Sequence, residues 1–351
     1  MSGGSGGTLA PWAAAAIACV GAGIVAEAIG LPAPWLLAGL LGGLAVAVTR
    51  GGALDVPQAP TVVSQAVVGV ALGASVAPGS LGGIAGAWPL VLALVAATLG
   101  SSVAVAFGLA RLTEIDRVTA ALGMLPGAAP ALIAVGDEVD ADARLVATMQ
   151  YGRVLLVVAT VPLLALLLGS DAAAPGPPRP EAPTGLEPGL AAAALAAAGA
   201  ALATLARAPA ASLVGPLILS AVAAATGIVP LAVPGLVADA AFVVVGASVG
   251  LRFDRESLRH AGRLAPYMAA AVLVLTVICA ALGVVLLAAL DTDSLTAYLA
   301  TTPGGISSVL AAAFDSGADL TVVVAVQTLR LMVLALAAPF AARLLRVRGA
   351  E

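Results

Sequence analysis

Residues that seldom match by chance recur along this chain at a single ungapped offset of 177 positions. Pro32 and Pro209, Pro57 and Pro234, Gly69 and Gly246, Gly73 and Gly250, Thr119 and Thr296, Pro126-Gly127 and Pro303-Gly304, Asp142 and Asp319, Gln150 and Gln327, Arg153 and Arg330, and Pro162 and Pro339 all pair in this way. Two stretches rich in Ala, Val and Leu match often at apolar positions, but not at Pro, Gly, Asp, Gln and Arg together. The chain is therefore a duplicated unit, and the fold of one half constrains the fold of the other.

Composition decides what that unit is made of. With 61% apolar and 10% charged residues and a mean hydropathy of +1.12, the 351 residues cannot coat a soluble globule. Apolar windows recur instead, most of them long enough for ~30 Å of hydrocarbon. They fall near 9–29, 32–49, 61–77, 86–110, 118–136 and 144–168, and again near 190–206, 211–229, 236–251, 264–290, 295–313 and 318–342. Between the two sets Gly169 to Pro188 carries six prolines with Asp171, Arg179, Glu181 and Glu187, the composition of a hydrophilic linker. The expected organisation is a first membrane repeat at 1–168, a linker at 169–188 and a second membrane repeat at 189–351.

Arginines collect in cytoplasmic loops. In the first half they follow the second segment (Arg50) and flank the fourth-to-fifth connection (Arg111, Arg117). In the second half they crowd the third-to-fourth loop instead (Arg252, Arg255, Arg259, Arg263). Equivalent loops then face opposite sides, as in an inverted repeat, which needs an odd number of crossings per half. The fifth segments resolve the parity. Leu125-Pro126-Gly127-Ala128-Ala129-Pro130 and Thr302-Pro303-Gly304-Gly305 break both near their midpoints, because Pro and Gly interrupt helices. If each dips in and returns, every half has five crossings and one re-entrant hairpin; a spanning broken helix is the other option. The fold expected is an all-α polytopic membrane protein of two inverted repeats, about ten transmembrane helices and two re-entrant or broken helical hairpins. Broken backbone survives at membrane depth only where protein or a watered cavity satisfies it, and matched breaks in two inverted halves point to a transporter site.

The segments Thr119 to Gly127 with Gln150-Tyr151-Gly152-Arg153, and Thr296 to Gly305 with Gln327-Thr328-Leu329-Arg330, resemble the duplicated AbrB-type integral membrane family, which shares its name with a soluble transcriptional regulator and has also been labelled ammonia monooxygenase. The resemblance spans about residues 10 to 345. It implies a multi-pass inner-membrane protein with distant kinship to cation/proton antiporter and anion-transporter folds, and those folds suggest a homodimer. The first copy departs from the second in reading Pro126-Gly127-Ala128 where the second keeps Pro303-Gly304-Gly305.

Arg153 and Arg330 fall inside apolar helices, where a charge costs at least ~2.5 kcal/mol. Either they bind an anionic group of a solute, or each pairs with a neighbour or a hairpin carbonyl. Gln150 and Gln327 share their helical faces. With Pro126, Gly127, Pro303, Gly304, Gly305 and Ser307 at the breaks they form the candidate substrate-binding set. Half-helix N-termini after each break would add N–H groups and positive dipole ends. Asp142 and Asp319 begin the sixth segments, as helix N-caps or as sites of H+ or Na+ coupling. The expected function is secondary transport of a small anionic or carboxylate-bearing solute by alternating access; the alternative is a membrane protein that senses, or indirectly regulates gene expression. The 15 basic residues are all arginines without a basic block, the single histidine is His260 and the net charge is −4. Nucleic-acid binding, a metal, a cofactor and an enzymatic role are therefore not expected, and the partners are membrane lipid and the solute.

Overall fold

A computed structural model of the chain describes residues 9–29, 31, 33–50, 57–76, 86–127, 129–139, 141–167, 186–227, 230–253, 262–290 and 292–348. The described residues form helices and connections without strands. The first half contributes α1 (Leu9–Ala28), α2 (Pro34–Arg50), α3 (Gln58–Ala74), α4 (Trp88–Leu112), α5 (Arg117–Met124), α6 (Ala129–Glu138) and α7 (Ala143–Leu167). The second contributes α8 (Leu186–Leu205), α9 (Ala211–Thr226), α10 (Gly235–Gly250), α11 (Ala265–Leu290), α12 (Ser294–Thr301), α13 (Ile306–Ser316) and α14 (Leu320–Arg348). Each of α8 to α14 starts 177 residues after its counterpart among α1 to α7. Among the described residues four segments are long and apolar enough to cross a membrane: α4, α8, α11 and Leu320–Ala337 of α14.

Most of the linker at 169–188 lies outside the described residues, as do Ala128, Arg255, Arg259 and His260. Its last three residues are already helical, since α8 begins at Leu186. Pro188 is accommodated there because the first turn of a helix needs no N–H from it.

The helix ends follow from local chemistry. Asp116 and Asp293 cap α5 and α12, accepting from the N–H groups of Thr119 and Thr296, each at 2.8 Å. Gly227 and Gly317 close α9 and α13 with left-handed φ of 64° and 74°, where a Cβ would be strained. Ala33 and Ala210, a matched pair, take φ of 54° and 49° immediately before α2 and α9 without that exemption.

The helices sort into two bundles. One holds α1, α2, α3, α8, α9 and α10; the other holds α4 to α7 and α11 to α14. The main packing between them runs through α13, which lies against α3 and α10, with Phe314 tilted against Phe242 at 6.2 Å between centroids.

Within the first bundle the halves pack reciprocally. A Cβ added at Gly69 of α3 would stand 2.5 Å from Leu213 O of α9, and one at Gly246 of α10 would stand 2.2 Å from Leu36 O of α2. Gly73 meets Leu217 and Ala221; Gly250 meets Leu40 and Leu44. Every contact has its twin 177 residues away. Small residues at this spacing let helix backbones touch. The registers rise together, so α2 runs parallel to α10 and α3 parallel to α9.

Candidate functional site

In the second bundle the fifth segment of each half is split, as its Pro and Gly residues require. α5 ends at Met124, the backbone turns extended at Leu125 (φ −63°, ψ 124°), and α6 starts at Ala129. α12 ends at Thr301, the turn is at Thr302 (φ −54°, ψ 140°), and α13 starts at Ile306. The chain comes back to where it began. The Asp142 N–H donates to Thr119 Oγ1 at 3.0 Å, and the Asp319 N–H donates to Thr296 Oγ1 at 2.7 Å. Each break is thus the tip of a returning hairpin.

A split helix leaves its last carbonyls without partners. In the first hairpin the Leu125 N–H donates to Ala121 O. Gln150 Nε2 donates to Leu122 O and Leu125 O, and Arg153 Nη1 serves Gly123 O, Met124 O and Leu125 O at 3.3, 3.0 and 2.9 Å. Arg153 Nη2 donates to Gln150 Oε1 at 2.8 Å, so the two side chains act as one cap. The second hairpin repeats the device. Gln327 Nε2 donates to Leu299 O, Ala300 O and Thr302 O, and Arg330 donates through Nη1 to Thr302 O at 2.7 Å and through Nη2 to Gly304 O at 3.1 Å and to Gln327 Oε1. Of the two readings open from sequence, the observed partners are the hairpin carbonyls.

Arg153 is fully buried and Arg330 is 4% exposed. Among the described residues no carboxylate pairs with either. The negative ends of α5 and α12 compensate them in part, which leaves net positive charge between the halves. Arg153 Nε is buried without a partner, beside an apolar cavity of about 220 Å³ that Thr148, Met149, Phe253 and Met268 help to line.

The tips reach across to the other half. Gly127 lies against Leu334 of α14 and Gly304 against Val157 of α7, positions again matched at the offset. Pro126, Pro303 and Gly304 are buried, whereas Gly127, Gly305 and Ser307 keep some exposure. Pro126, Gly127, Gln150 and Arg153 come together at the first tip, and Pro303, Gly304, Gly305, Ser307, Gln327 and Arg330 at the second. Asp142 and Asp319 stand apart, at the hairpin mouths. Asp142 Oδ1 accepts from Leu145 N–H and Asp319 Oδ1 from Thr321 N–H, both at 2.9 Å, which is N-cap geometry.

Sequence reasoning passed over three hydroxyls at the second tip. Tyr298 OH lies 3.4 Å from Thr160 Oγ1 of α7, and the fully buried Thr302 hydroxyl makes no hydrogen bond of ordinary geometry. None of the three repeats at the 177 offset. Thr119 and Thr296, by contrast, do repeat, and that identity was the available sign of their place at the mouths.

A family model described as "Transition state regulatory protein AbrB" matches residues 35–346. The chain belongs to the AbrB family. A relative in this AbrB family, the "Putative regulator AbrB" of Escherichia coli (strain K12), is 33% identical over 317 residues, which cover 90% of this chain and 91% of that protein. The AbrB match takes in both hairpins and both Gln/Arg caps.

Proposed function

We propose that this AbrB-family chain is a secondary transporter that carries a small anionic, carboxylate-bearing solute across the inner membrane by alternating access. The observation that carries the reading is the pair of returning hairpins, broken at their centres and aimed at the opposite half, with two buried arginines behind them and no described carboxylate to neutralise these. Half-helix N-termini and fixed cationic charge favour an anion. Because their guanidinium groups are engaged with carbonyls, Arg153 and Arg330 act on it mainly through their field, while the tip residues Pro126, Gly127, Pro303, Gly304, Gly305 and Ser307 make the contacts.

Three features support inverted repeats at 1–168 and 189–351 joined by the linker at 169–188. Returning hairpins leave five crossings per half, which is the odd number inversion needs. α2 runs parallel to α10, the counterpart of α3, and the short connection between α2 and α3 favours opposite directions for those two. The reciprocal contacts are those of a two-fold relation between halves. The division into two bundles gives alternating access its moving parts, with α13 at the joint. Coupling to H+ or Na+ and assembly as a homodimer complete the proposal, in which the protein is not an enzyme.

Ser307→Cys and Ala129→Cys, each made without Cys19 and Cys279, test it. In oriented vesicles an impermeant thiol reagent should reach the two from opposite faces. Both sites remaining unlabelled from either face would sink the transport reading. The name of the Escherichia coli relative, "Putative regulator AbrB", favours a second reading, a membrane protein that senses and indirectly regulates gene expression, for which dry hairpins are expected.

A further inference from the structure

The duplication supplies an internal comparison for every residue of the site. The two hairpins have the same helix lengths before the break, eight residues each, and the same turn conformation at Leu125 and Thr302. Yet where the second hairpin carries Tyr298, Thr302 and Ser308, the first carries Ala121, Leu125 and Ala131, and the position equivalent to Thr160 is Ala337. The first hairpin shows that this backbone forms without the hydroxyls.

Some of these hydroxyls are accounted for locally. Ser308 Oγ donates to Gly305 O at 2.9 Å, and Thr301 Oγ1 donates to Ala297 O at 3.0 Å. Thr160 Oγ1 donates to Val157 O at 2.8 Å, which leaves its lone pairs to the Tyr298 hydroxyl. Thr302 is the exception. Its side chain is wholly buried, its hydroxyl stands near that of Tyr298, and it makes no hydrogen bond of ordinary geometry. A buried hydroxyl is left in that state at a cost unless something else is bound there. Directly after it, α13 begins at Ile306 with Gly305 as an N-cap that supplies no side-chain acceptor, so no side chain caps the first-turn N–H groups. Directly behind it, Arg330 Nη1 holds the Thr302 carbonyl.

We infer that the second hairpin alone binds the solute's oxyanion, one per chain, between the Thr302 hydroxyl and the first turn of α13, with Tyr298 and Thr160 as the residues that set specificity beside it. The Thr302 hydroxyl and the first-turn N–H groups of α13 are donors there, Arg330 stands behind them, and partly exposed Gly305 gives the way in. The first hairpin is its structural twin, which meets the solute through Pro126 and Gly127 without holding the oxyanion. The inference rests on the transport reading and narrows it to one of two equivalent places.

The test is thermal stability of the detergent-purified chain with acetate, succinate, citrate, glutamate, inorganic phosphate and sulfate as probes. Thr302→Leu installs the twin's residue and Tyr298→Phe removes only a hydroxyl, so both should melt like the original protein when unliganded. Thr302→Leu should weaken the stabilising probe about tenfold or more, as expected where a hydrogen bond to a charged group is lost, Tyr298→Phe should change the preference among the probes, and Leu125→Ala in the first hairpin should do neither. A carboxylate responding in preference to phosphate and sulfate supports the solute class proposed above; the reverse keeps the oxyanion site and overturns that class. Unchanged affinity in Thr302→Leu, unchanged preference in Tyr298→Phe, equal dependence on Leu125, or a lower unliganded melting temperature in Tyr298→Phe and Thr302→Leu would overturn the assignment while leaving transport standing. If no probe stabilises the original protein, the anion-transport reading and this site fall together.

Discussion

Gly127 fits so closely against Leu334 that an added Cβ would stand 1.9 Å from the leucine Cδ2. At the matched tip Gly304 would put a Cβ 2.5 Å from Val309 Cγ2 and 3.0 Å from Val157 Cγ1. A leucine end can turn aside, whereas valine is stiff at χ1. Gly304→Ala should therefore lower stability by about 1–3 kcal/mol and Gly127→Ala by clearly less, read as thermal unfolding. Gly127→Ala should cost less in a Leu334→Ala background than in the original protein, since Leu334 supplies the closest atoms.

The Gln/Arg caps make a sharper prediction. Lysine keeps the charge at position 153 but not the planar fork that spans three carbonyls and Gln150. Arg153→Lys and Gln150→Ala should each leave a buried carbonyl unsatisfied and cost about 1–3 kcal/mol. Arg330→Gln should lose stability as well as any anion response, so its unfolding must be measured beside its binding. Equal stability of Arg153→Lys and the original protein would mean that the hairpin carbonyls find other partners.

Asp142 and Asp319 can be divided between capping and ion coupling by one isosteric change. Asparagine caps a helix as well as aspartate does. Asp319→Asn should leave the melting temperature unchanged while Asp319→Ala costs about 1 kcal/mol. If Asp319→Asn instead abolished a sodium- or pH-dependent ligand response, the carboxylate would have a coupling role.

Ala33 and Ala210 carry left-handed backbone that a side chain disfavours by about 1–2 kcal/mol. Glycine regains most of this and gives back some in unfolded-chain entropy. Ala33→Gly and Ala210→Gly should each raise the midpoint of thermal unfolding slightly, and a fall would show that the methyl group packs more favourably than the backbone strains.

The 177 offset made the architecture legible, because a repeated Pro or Gly marks the same helix start or break twice. That is why the windows around 118–136 and 295–313 could be read as interrupted at Pro126 and Pro303. The small-residue spacing of Gly69 with Gly73 and of Gly246 with Gly250 announced close helix contact. It could not announce that the contact is with α9 and α2 of the opposite half, since spacing on one helix carries no address. Arg153 and Arg330 were readable as charges that need partners. A carbonyl partner leaves no trace in sequence, since every residue has one, so the contacts of these arginines with the hairpin carbonyls are visible only in the fold. Thr160, Tyr298 and Thr302 were hidden by the signal that revealed the rest, because none of them repeats and Thr160 meets Tyr298 from 138 residues away.

The reciprocal seating of Gly69 on Leu213 and of Gly246 on Leu36 bears on how the protein is made. When the first half leaves the ribosome, the grooves on α2 and α3 have yet to receive α10 and α9. The closest packing of the first bundle crosses between the halves, α2 with α10 and α3 with α9, so it cannot be complete until the second half is made. A gene cut within the linker should therefore yield two fragments that are unstable apart and reunite when made in the same cell.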